Sequence, residues 1–484
     1  MKDSCLENGR KKKCSFAAAM LAVMAASVLF LCGCDADRGH GEGTITPDPA
    51  EAVSAQITDA AKTDAPVSET EAAATETAAP SPTPGPEASP VFPMNENNIG
   101  SGSAAAAGYI EALAEPEKII LTAEEIAASN SRMTAECAAL EDILSIPGSI
   151  DGETLRNMIT GVSVPELPLY DAEGKDIDEA GLAGIIANAG TDAIAAENPV
   201  LLGIIVRRSD LKRFATALEF HSSKGSNVDK IQDTELYMGM PVWVLWKSSD
   251  GEFVFVRSYY YSGWTKAENV AIAKDAEEWL KYADPQEFVV VTDAKLTVCG
   301  EQADMGVKLP YAGIDADGLN FSVKKPVRNS DGSLGEEETK LSVYSAHKGY
   351  LAYTYANFIT QAFKYEGTEY QWGGLKGGID CSSFVASVLR PFGIYIPRDT
   401  KDQNCTAGIG ADITGLSGNE IRDLIVSEGA SAPVAIYLKG HVRLYLGQKD
   451  GVFMTIHAPG SNKVVVAEPF DNFGAVISVR TIKL

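Results

Sequence analysis

Histidine and cysteine are thinly spread along this chain, with five histidines and eight cysteines in 484 residues. Cys137, Cys299, Cys381 and Cys405 lie far apart and form neither a CxxC pair nor a Cys/His cluster at zinc-ligand spacing, so no metal site is expected. A disulfide framework is not expected either, because a chain of this length does not need one to hold a core. A Cys381–Cys405 bridge is the one pairing left open. Basic charge is also short: 41 Lys and Arg stand against 66 Asp and Glu, for a net charge of −25. A phosphate backbone would be repelled, so nucleic acid is not an expected partner. Aromatics are almost missing from residues 35–108, where Phe92 stands alone among Ala, Thr, Pro, Glu and Ser. Such a stretch cannot bury enough apolar surface to fold and reads as a tether.

What is present begins at the N-terminus. Arg10, Lys11, Lys12 and Lys13 precede an apolar run from Phe16 to Leu31, the pattern of an export signal. The run closes in Leu31-Cys32-Gly33-Cys34, which resembles the lipobox of bacterial lipoproteins. That resemblance implies a signal peptide over residues 1–34, cleavage before Cys34 and lipidation of its thiol. The remainder would then be extracytoplasmic, anchored by lipid to the outer face of a bacterial cell membrane.

The residues beyond the tether suffice for more than one domain. Residues 109–198 read as helical: Thr122 and Glu125 form a capping box before Ile126, Met133, Cys137, Leu140 and Leu144 at helical spacing, which makes Cys137 a core residue. Near residue 200 the pattern changes. "PVWVLWKSSDGEFVFVRSYYYSGW" alternates on both sides of Ser249-Asp250-Gly251, a hairpin with a glycine turn, and short strands continue through "EFVVVTDAKLTVCG", with Cys299, and "LNFSVKKPV". Two small β-barrels over 199–275 and 276–345 fit this text. From 346 to 484 helices come first and strands afterwards, an α+β pattern.

Cys381 stands where a glycine-rich loop, Gly373, Gly374, Gly377 and Gly378, gives way to an amphipathic helix capped by Asp380. A thiol in a first helical turn meets the positive end of the helix dipole, so the spacing predicts a lowered thiol pKa and a nucleophile. A nucleophilic thiol needs a base. His441 and His457 fall on strands that follow the helix, in "KGHVRLYLG" and "TIHAPG", and place a Cys–His pair between helix and sheet. Filler or a disulfide half remain the alternatives for Cys381, and two structural histidines for the pair.

The motifs in "YQWGG" around Tyr370, "DCSSF" around Cys381, Gly393-Ile394, Ile396-Pro397-Arg398, Gln403, Gly440-His441-Val442 and Tyr445-Leu446-Gly447 resemble the NlpC family of cell-wall cysteine peptidases over about residues 346–484. The resemblance implies a multidomain protein: a papain-like (NlpC-type) α+β catalytic domain preceded by two SH3-like β-barrels and a helical N-terminal region. It implies Cys381 as nucleophile, His441 as base, His457 as the orienting polar residue and Tyr370 at the oxyanion side, with no cofactor. The upstream text resembles the subgroup whose members are γ-D-glutamyl-L-diamino-acid endopeptidases acting on peptidoglycan stem peptides or muropeptides. By the same resemblance Asp399 with Asp380 and Ser382 would bind a free L-Ala amine, and Tyr261 would wall the cleft, Tyr260 being the competing choice.

Two positions depart from the pattern. Gly239-Met240 stands where some relatives carry a glutamate that helps bind the amine, and Arg443 stands where a small or apolar residue is common, its side chain expected to exit to solvent, with reading of a substrate carboxylate as the alternative. Other readings keep the fold but change the role: a peptidoglycan-binding wall protein with an inactive catalytic fold, or a cysteine amidase or acyltransferase acting on another wall bond.

Overall fold

The structure is a computed structural model that describes residues 101–460 and 463–483. The signal, Cys34 and the tether up to residue 100 lie outside the described residues. Among the described residues, no helix is long and apolar enough to cross a membrane.

The N-terminal part holds helices α1 (Ser101–Ile110), α2 (Ala123–Glu136), α3 (Gly152–Thr160) and α4 (Glu179–Ala187). Helix α1 starts inside the stretch read as tether. Its alanines are not filler, because Ala106 is buried and Tyr109 packs on Phe363 with ring centroids 5.4 Å apart. In α2 the Thr122 hydroxyl accepts from the Glu125 N–H at 3.3 Å and the Glu125 carboxylate accepts from the Thr122 N–H at 2.8 Å. The helix buries Ile126 and Met133 and ends at Cys137, itself buried, so Leu144, expected on the same apolar face, lies past the helix and is exposed.

Residues 201–272 form one antiparallel sheet of strands β1 (Leu201–Ile205), β2 (Ser209–Lys212), β3 (Gln232–Leu236), β4 (Pro241–Lys247), β5 (Phe253–Arg257), β6 (Ser262–Lys266) and β7 (Val270–Ile272), in the order β7-β1-β4-β5-β6-β2-β3. The expected hairpin joins β4 to β5. Both faces of it are apolar for a reason: Val242, Val244, Val254 and Val256 fill the sheet's own core, while Trp243, Leu245, Phe253 and Phe255 meet Leu155 and Ile159 of α3 and Trp279 and Tyr282 of α5 (Ala276–Ala283). A second antiparallel sheet contains β8 (Phe288–Val291), β9 (Lys308–Ile314), β10 (Asn320–Arg328), β11 (Leu334–Ser342) and β12 (Ala346–Lys348), in the order β11-β10-β9-β8-β12. Cys299 is not in a strand. It is exposed at φ +48 beside Gly300 at φ +81, the turn of a small hairpin between Lys295–Val298 and Glu301–Asp304, because a two-residue hairpin turn needs two positive φ values.

The C-terminal part starts with α6 (Tyr355–Phe363), α7 (Cys381–Leu389), α8 (Thr400–Thr406) and α9 (Gly418–Glu428). Behind α7 lies an antiparallel sheet of β13 (Ile409–Gly410), β14 (Val434–Leu438), β15 (His441–Lys449), β16 (Val452–His457), β17 (Val466–Pro469) and β18 (Val476–Thr481), in the order β13-β18-β14-β15-β16-β17. Every residue of α7 is buried, which suits a helix packed on a sheet on one side and on neighbouring domains on the other. The N-terminal region is stitched to this domain by pairing of Ile119–Leu121 with Tyr353–Thr354. Cys381 forms no disulfide, which excludes the Cys381–Cys405 bridge.

Candidate active site

Asp380 sets the start of α7. Its carboxylate accepts from the Ser383 N–H at 2.9 Å, and its own N–H donates to the Ser383 hydroxyl at 3.0 Å, a reciprocal cap. Cys381 therefore occupies the first helical position, where its N–H has no acceptor within the helix. The same carboxylate accepts from Arg398 at 2.6 and 3.1 Å and from the Gly373 N–H at 3.1 Å. Ser382 accepts from Arg398 at 2.9 Å. Asp380 and Ser382, expected at the amine end of a substrate, are thus committed to holding a buried arginine. Burial would raise the Asp380 carboxyl, but the Arg398 charge and the bonds it donates outweigh that and hold it below its ordinary value.

Arg398 also crosses into the first β domain, donating to the Thr234 hydroxyl at 2.7 Å and lying 3.6 Å from the Glu235 carboxylate. The glycine loop presses on the same strand. A Cβ at Gly374 would fall 2.2 Å from Glu235, and Gly374 adopts φ +72, so no other residue fits. The Gln232 amide donates to the Gly373 carbonyl at 3.1 Å, and the Trp372 indole donates to the Gln232 carbonyl at 3.0 Å.

The sheet supplies the other half. His441 opens β15, and the N–H of the next residue, Val442, reaches the Cys381 thiol. The ring Nε2 of His441 lies 2.7 Å from Nδ1 of His457, and Nε2 of His457 lies 2.8 Å from a Glu468 carboxylate oxygen. Glu468 also takes an ion pair from Arg443 at 3.1 Å. Arg443 does not exit to solvent: it donates to Thr455 at 3.1 Å on the neighbouring strand and lies over the Phe470 ring, because Glu468 offers a counter-charge on β17, one strand further on. Burial opposes ionisation of Glu468, but bonds and charge from His457 and Arg443 outweigh it and keep the carboxyl below its ordinary range. An ionised carboxylate only accepts. His457 must therefore carry its proton on Nε2 and offer a lone pair at Nδ1, which accepts the His441 Nε2–H; the unprotonated nitrogen of His441 is Nδ1.

Burial pushes the Cys381 thiol up to about 11, with the Asp380 charge adding to it, against smaller opposing effects of the Thr400 hydroxyl, the Val442 N–H and Arg398. The sequence predicts a lowered thiol at a helix N-terminus; desolvation and a neighbouring carboxylate reverse the sign. Burial likewise lowers His441 to about 3, helped by His457 and Arg443, and lowers His457 to about 4. The resting pair is a neutral thiol and a neutral imidazole. Tyr370 is buried beside them, and burial first, then the Asp380 and Cys381 charges, raise its phenol.

At the cleft, Tyr260 is buried and donates its hydroxyl to the Glu235 carbonyl, whereas the half-buried Tyr261 feels the charges of Asp233 and Asp399. Asp399 precedes α8 yet makes no side-chain cap, which leaves its carboxylate free for another donor. Asp233, held by Arg213 at 2.8 Å, is raised by burial and, after the Arg213 interactions, by Asp399.

Glu468 and Asp233 escape a reading of the sequence alone, and Arg398 enters it only as part of a motif, without its role as the partner of Asp380, Thr234 and Glu235. "Val-Val-Val-Ala-Glu-Pro", after the Pro459-Gly460 turn, carries the one signal for Glu468: an apolar run positioned to pair with the His457 strand. Residues 367–475 match the NlpC/P60 family, and residues 219–266 match the SH3 domain (SH3b1 type). A Bacillus subtilis (strain 168) protein named gamma-D-glutamyl-L-lysine dipeptidyl-peptidase is 36% identical over 100 residues, covering 20% of this chain and only 30% of that protein. A protein of the same name from Bacillus cereus (strain ATCC 10987 / NRS 248) is 22% identical over 269 residues, covering 52% of this chain and 74% of its own length. In fold, the chain superposes on an NlpC/P60 endopeptidase from Photobacterium damselae subsp. piscicida with a TM-score of 0.61 at 18% identity, covering 78% of this chain and 96% of that one. The C-terminal part of this chain is an NlpC/P60 domain, the domain of a cysteine peptidase family, and it stands behind an SH3 domain.

Proposed function

We propose that this protein is a peptidoglycan hydrolase that cuts stem peptides between γ-D-Glu and the diamino acid, favouring stems with a free N-terminal L-Ala. The observation that carries the reading is the linked set His441, His457 and Glu468 at the head of a strand whose next residue, Val442, reaches the Cys381 thiol at a helix N-terminus. In the reaction the Cys381 sulfur attacks the γ-D-Glu carbonyl carbon while its proton passes to His441 Nδ1. The carbonyl oxygen, now negative, is met by the Cys381 N–H and the Tyr370 hydroxyl. His441 returns the proton to the departing amine as the C–N bond breaks, and water, deprotonated by His441, hydrolyses the thioester. His457 and Glu468 act through His441, fixing its tautomer.

Preference for a free amine rests on Asp399, whose carboxylate is spared from capping, with Tyr261 beside it as the wall. The enzyme acts outside the membrane, tethered by lipid at Cys34. Mass spectrometry after incubation with L-Ala-γ-D-Glu-diamino-acid peptides, free and N-acetylated, tests the reading: L-Ala-D-Glu is released from the free peptide alone. Asp399→Ala lowers kcat/KM on the free peptide roughly 10-fold or more, the loss of one charged contact, and leaves the acetylated peptide as poor as before. Equal cleavage of both peptides by the unaltered enzyme would remove the amine pocket. No cleavage of either would favour a wall-binding role.

The pH dependence follows from the imidazoles. Both histidines have lowered pKa values, so the base stays neutral and competent well below the ordinary histidine value and loses activity only as pH falls through about 3 to 4. The acid limb of kcat/KM is therefore expected below pH ~5, not near the free imidazole value of ~6.5. Because Glu468 stabilises the charged form of both rings, Glu468→Ala moves the limb lower still and, by releasing the His441 tautomer, costs about 10- to 100-fold in kcat. A limb near ~6.5 in both proteins would show that the His441 imidazole is not lowered and that Glu468 does not act on it.

A further inference from the structure

Three arginine side chains are buried where the β domains meet the peptidase domain, and one of them lacks a counter-ion. Arg208 pairs with Asp304 at 3.3 Å, and Arg398 pairs with Asp380 at 2.6 Å. Arg390, only 5% exposed, follows α7 at the end remote from Cys381, ~13 Å along a nine-residue helix. Among the described residues it makes no ion pair. It donates to Ser387 at 2.6 Å and stacks on the Tyr237 ring at 3.8 Å, but its Nε has no hydrogen-bond partner, and Asp304, already paired with Arg208, acts on it only from beyond ion-pair distance. The fold makes room for it: a Cβ at Gly306 would fall 2.3 Å from the Arg390 Cβ.

Arg390 lines a cavity of about 560 Å³ whose walls come from α2, both β domains and the peptidase domain. The lining is mainly apolar and aromatic, with Tyr237, Tyr259 and Tyr395 among its walls, and Lys308 adds a second cation that is packed among aromatic rings and not paired with a carboxylate among the described residues. Of the acidic groups of the lining, Glu141 pairs with Arg257 at 3.4 Å, whereas Asp142 accepts from the Ser145 hydroxyl at 2.6 Å and keeps its charge, so the cations Arg390 and Lys308 face a single carboxylate without an ion pair. Charge left over in the lining is positive. A buried cation without a partner is costly, and an arriving carboxylate would meet a planar donor fork already held in place.

We propose that this cavity is a second, non-catalytic binding site for a small aromatic carboxylate, whose acid group pairs with Arg390 and whose ring lies among the tyrosines. Its size and lining are those of small-molecule sites. The test titrates the full chain with 2-naphthoate, followed by fluorescence and by melting temperature. One saturable site that raises the melting temperature is expected. Neutral 2-naphthamide should bind ~10-fold more weakly or worse, since it forfeits the charge-assisted bonds. Ala135→Trp, which fills the cavity from the exposed face of α2, should abolish binding and leave peptide hydrolysis intact. Alkylation of Cys381 should leave 2-naphthoate binding unchanged, which separates this site from the catalytic one. Equal affinity for acid and amide, binding that survives Ala135→Trp, loss on alkylation, or no saturable binding would each overturn the proposal.

Discussion

Cys381→Ser is expected to lower kcat/KM on stem peptides by on the order of 10⁴-fold or more, the scale seen when a covalent nucleophile is lost, with no change in melting temperature. The substitution preserves size and leaves the Asp380 cap, the Arg398 bridge and the His441 chain untouched. What it removes is acidity. With the imidazole lowered to about 3, His441 is a weak base, and it can relieve a thiol of its proton only because the sulfur is forming a bond as the proton leaves. A hydroxyl, far less acidic, gives this base nothing to work with. Parallel measurement of kinetics and thermal unfolding checks the claim; residual turnover within 10²-fold of the parent would mean that Cys381 is not the covalent centre.

Arg398→Met is expected to have the largest effect on stability. Its guanidinium is the shared partner of Asp380, Ser382, Thr234 and Glu235, all buried. Removing one member of a buried ion set strands the others, a loss of about 3–5 kcal/mol. Because Asp380 also fixes Gly373 and the start of α7, activity should fall together with stability. Denaturant unfolding with a kinetic assay reads both. Arg398→Lys should recover little, since one ammonium cannot span the two carboxylate oxygens that the fork now meets. A midpoint unchanged in Arg398→Met would show the network to be dispensable.

Local chemistry was legible in the sequence where it was local. Asp380 before Cys381, the Thr122 box and the Ser249-Asp250-Gly251 turn each declare themselves within a few residues. His441 and His457 were found because both sit on strands with clear alternation and the chain has few other histidines to offer. Groups whose meaning depends on a distant partner stayed hidden. Arg398 needs Thr234, 164 positions away, and Glu468 needs a register on β16 that the apolar run before it does not specify. The thiol's shift runs opposite to the sequence expectation for a related reason: a helix terminus is visible in sequence, but burial, which here outweighs it, is a property of the assembled domains.

The glycine loop and Arg398 both lean on β3, outside the peptidase domain, and that has a consequence for evolution and for engineering. The matched stretch 367–475 is shorter than the unit that holds Cys381 in place. Cut loose, it would leave Arg398 without Thr234 and Glu235 and the loop without the strand that shapes it. The first β domain is in that sense part of the enzyme's interior, and a graft of the peptidase segment onto a foreign wall-binding module would have to bring the equivalent of Gln232–Leu236 along with it.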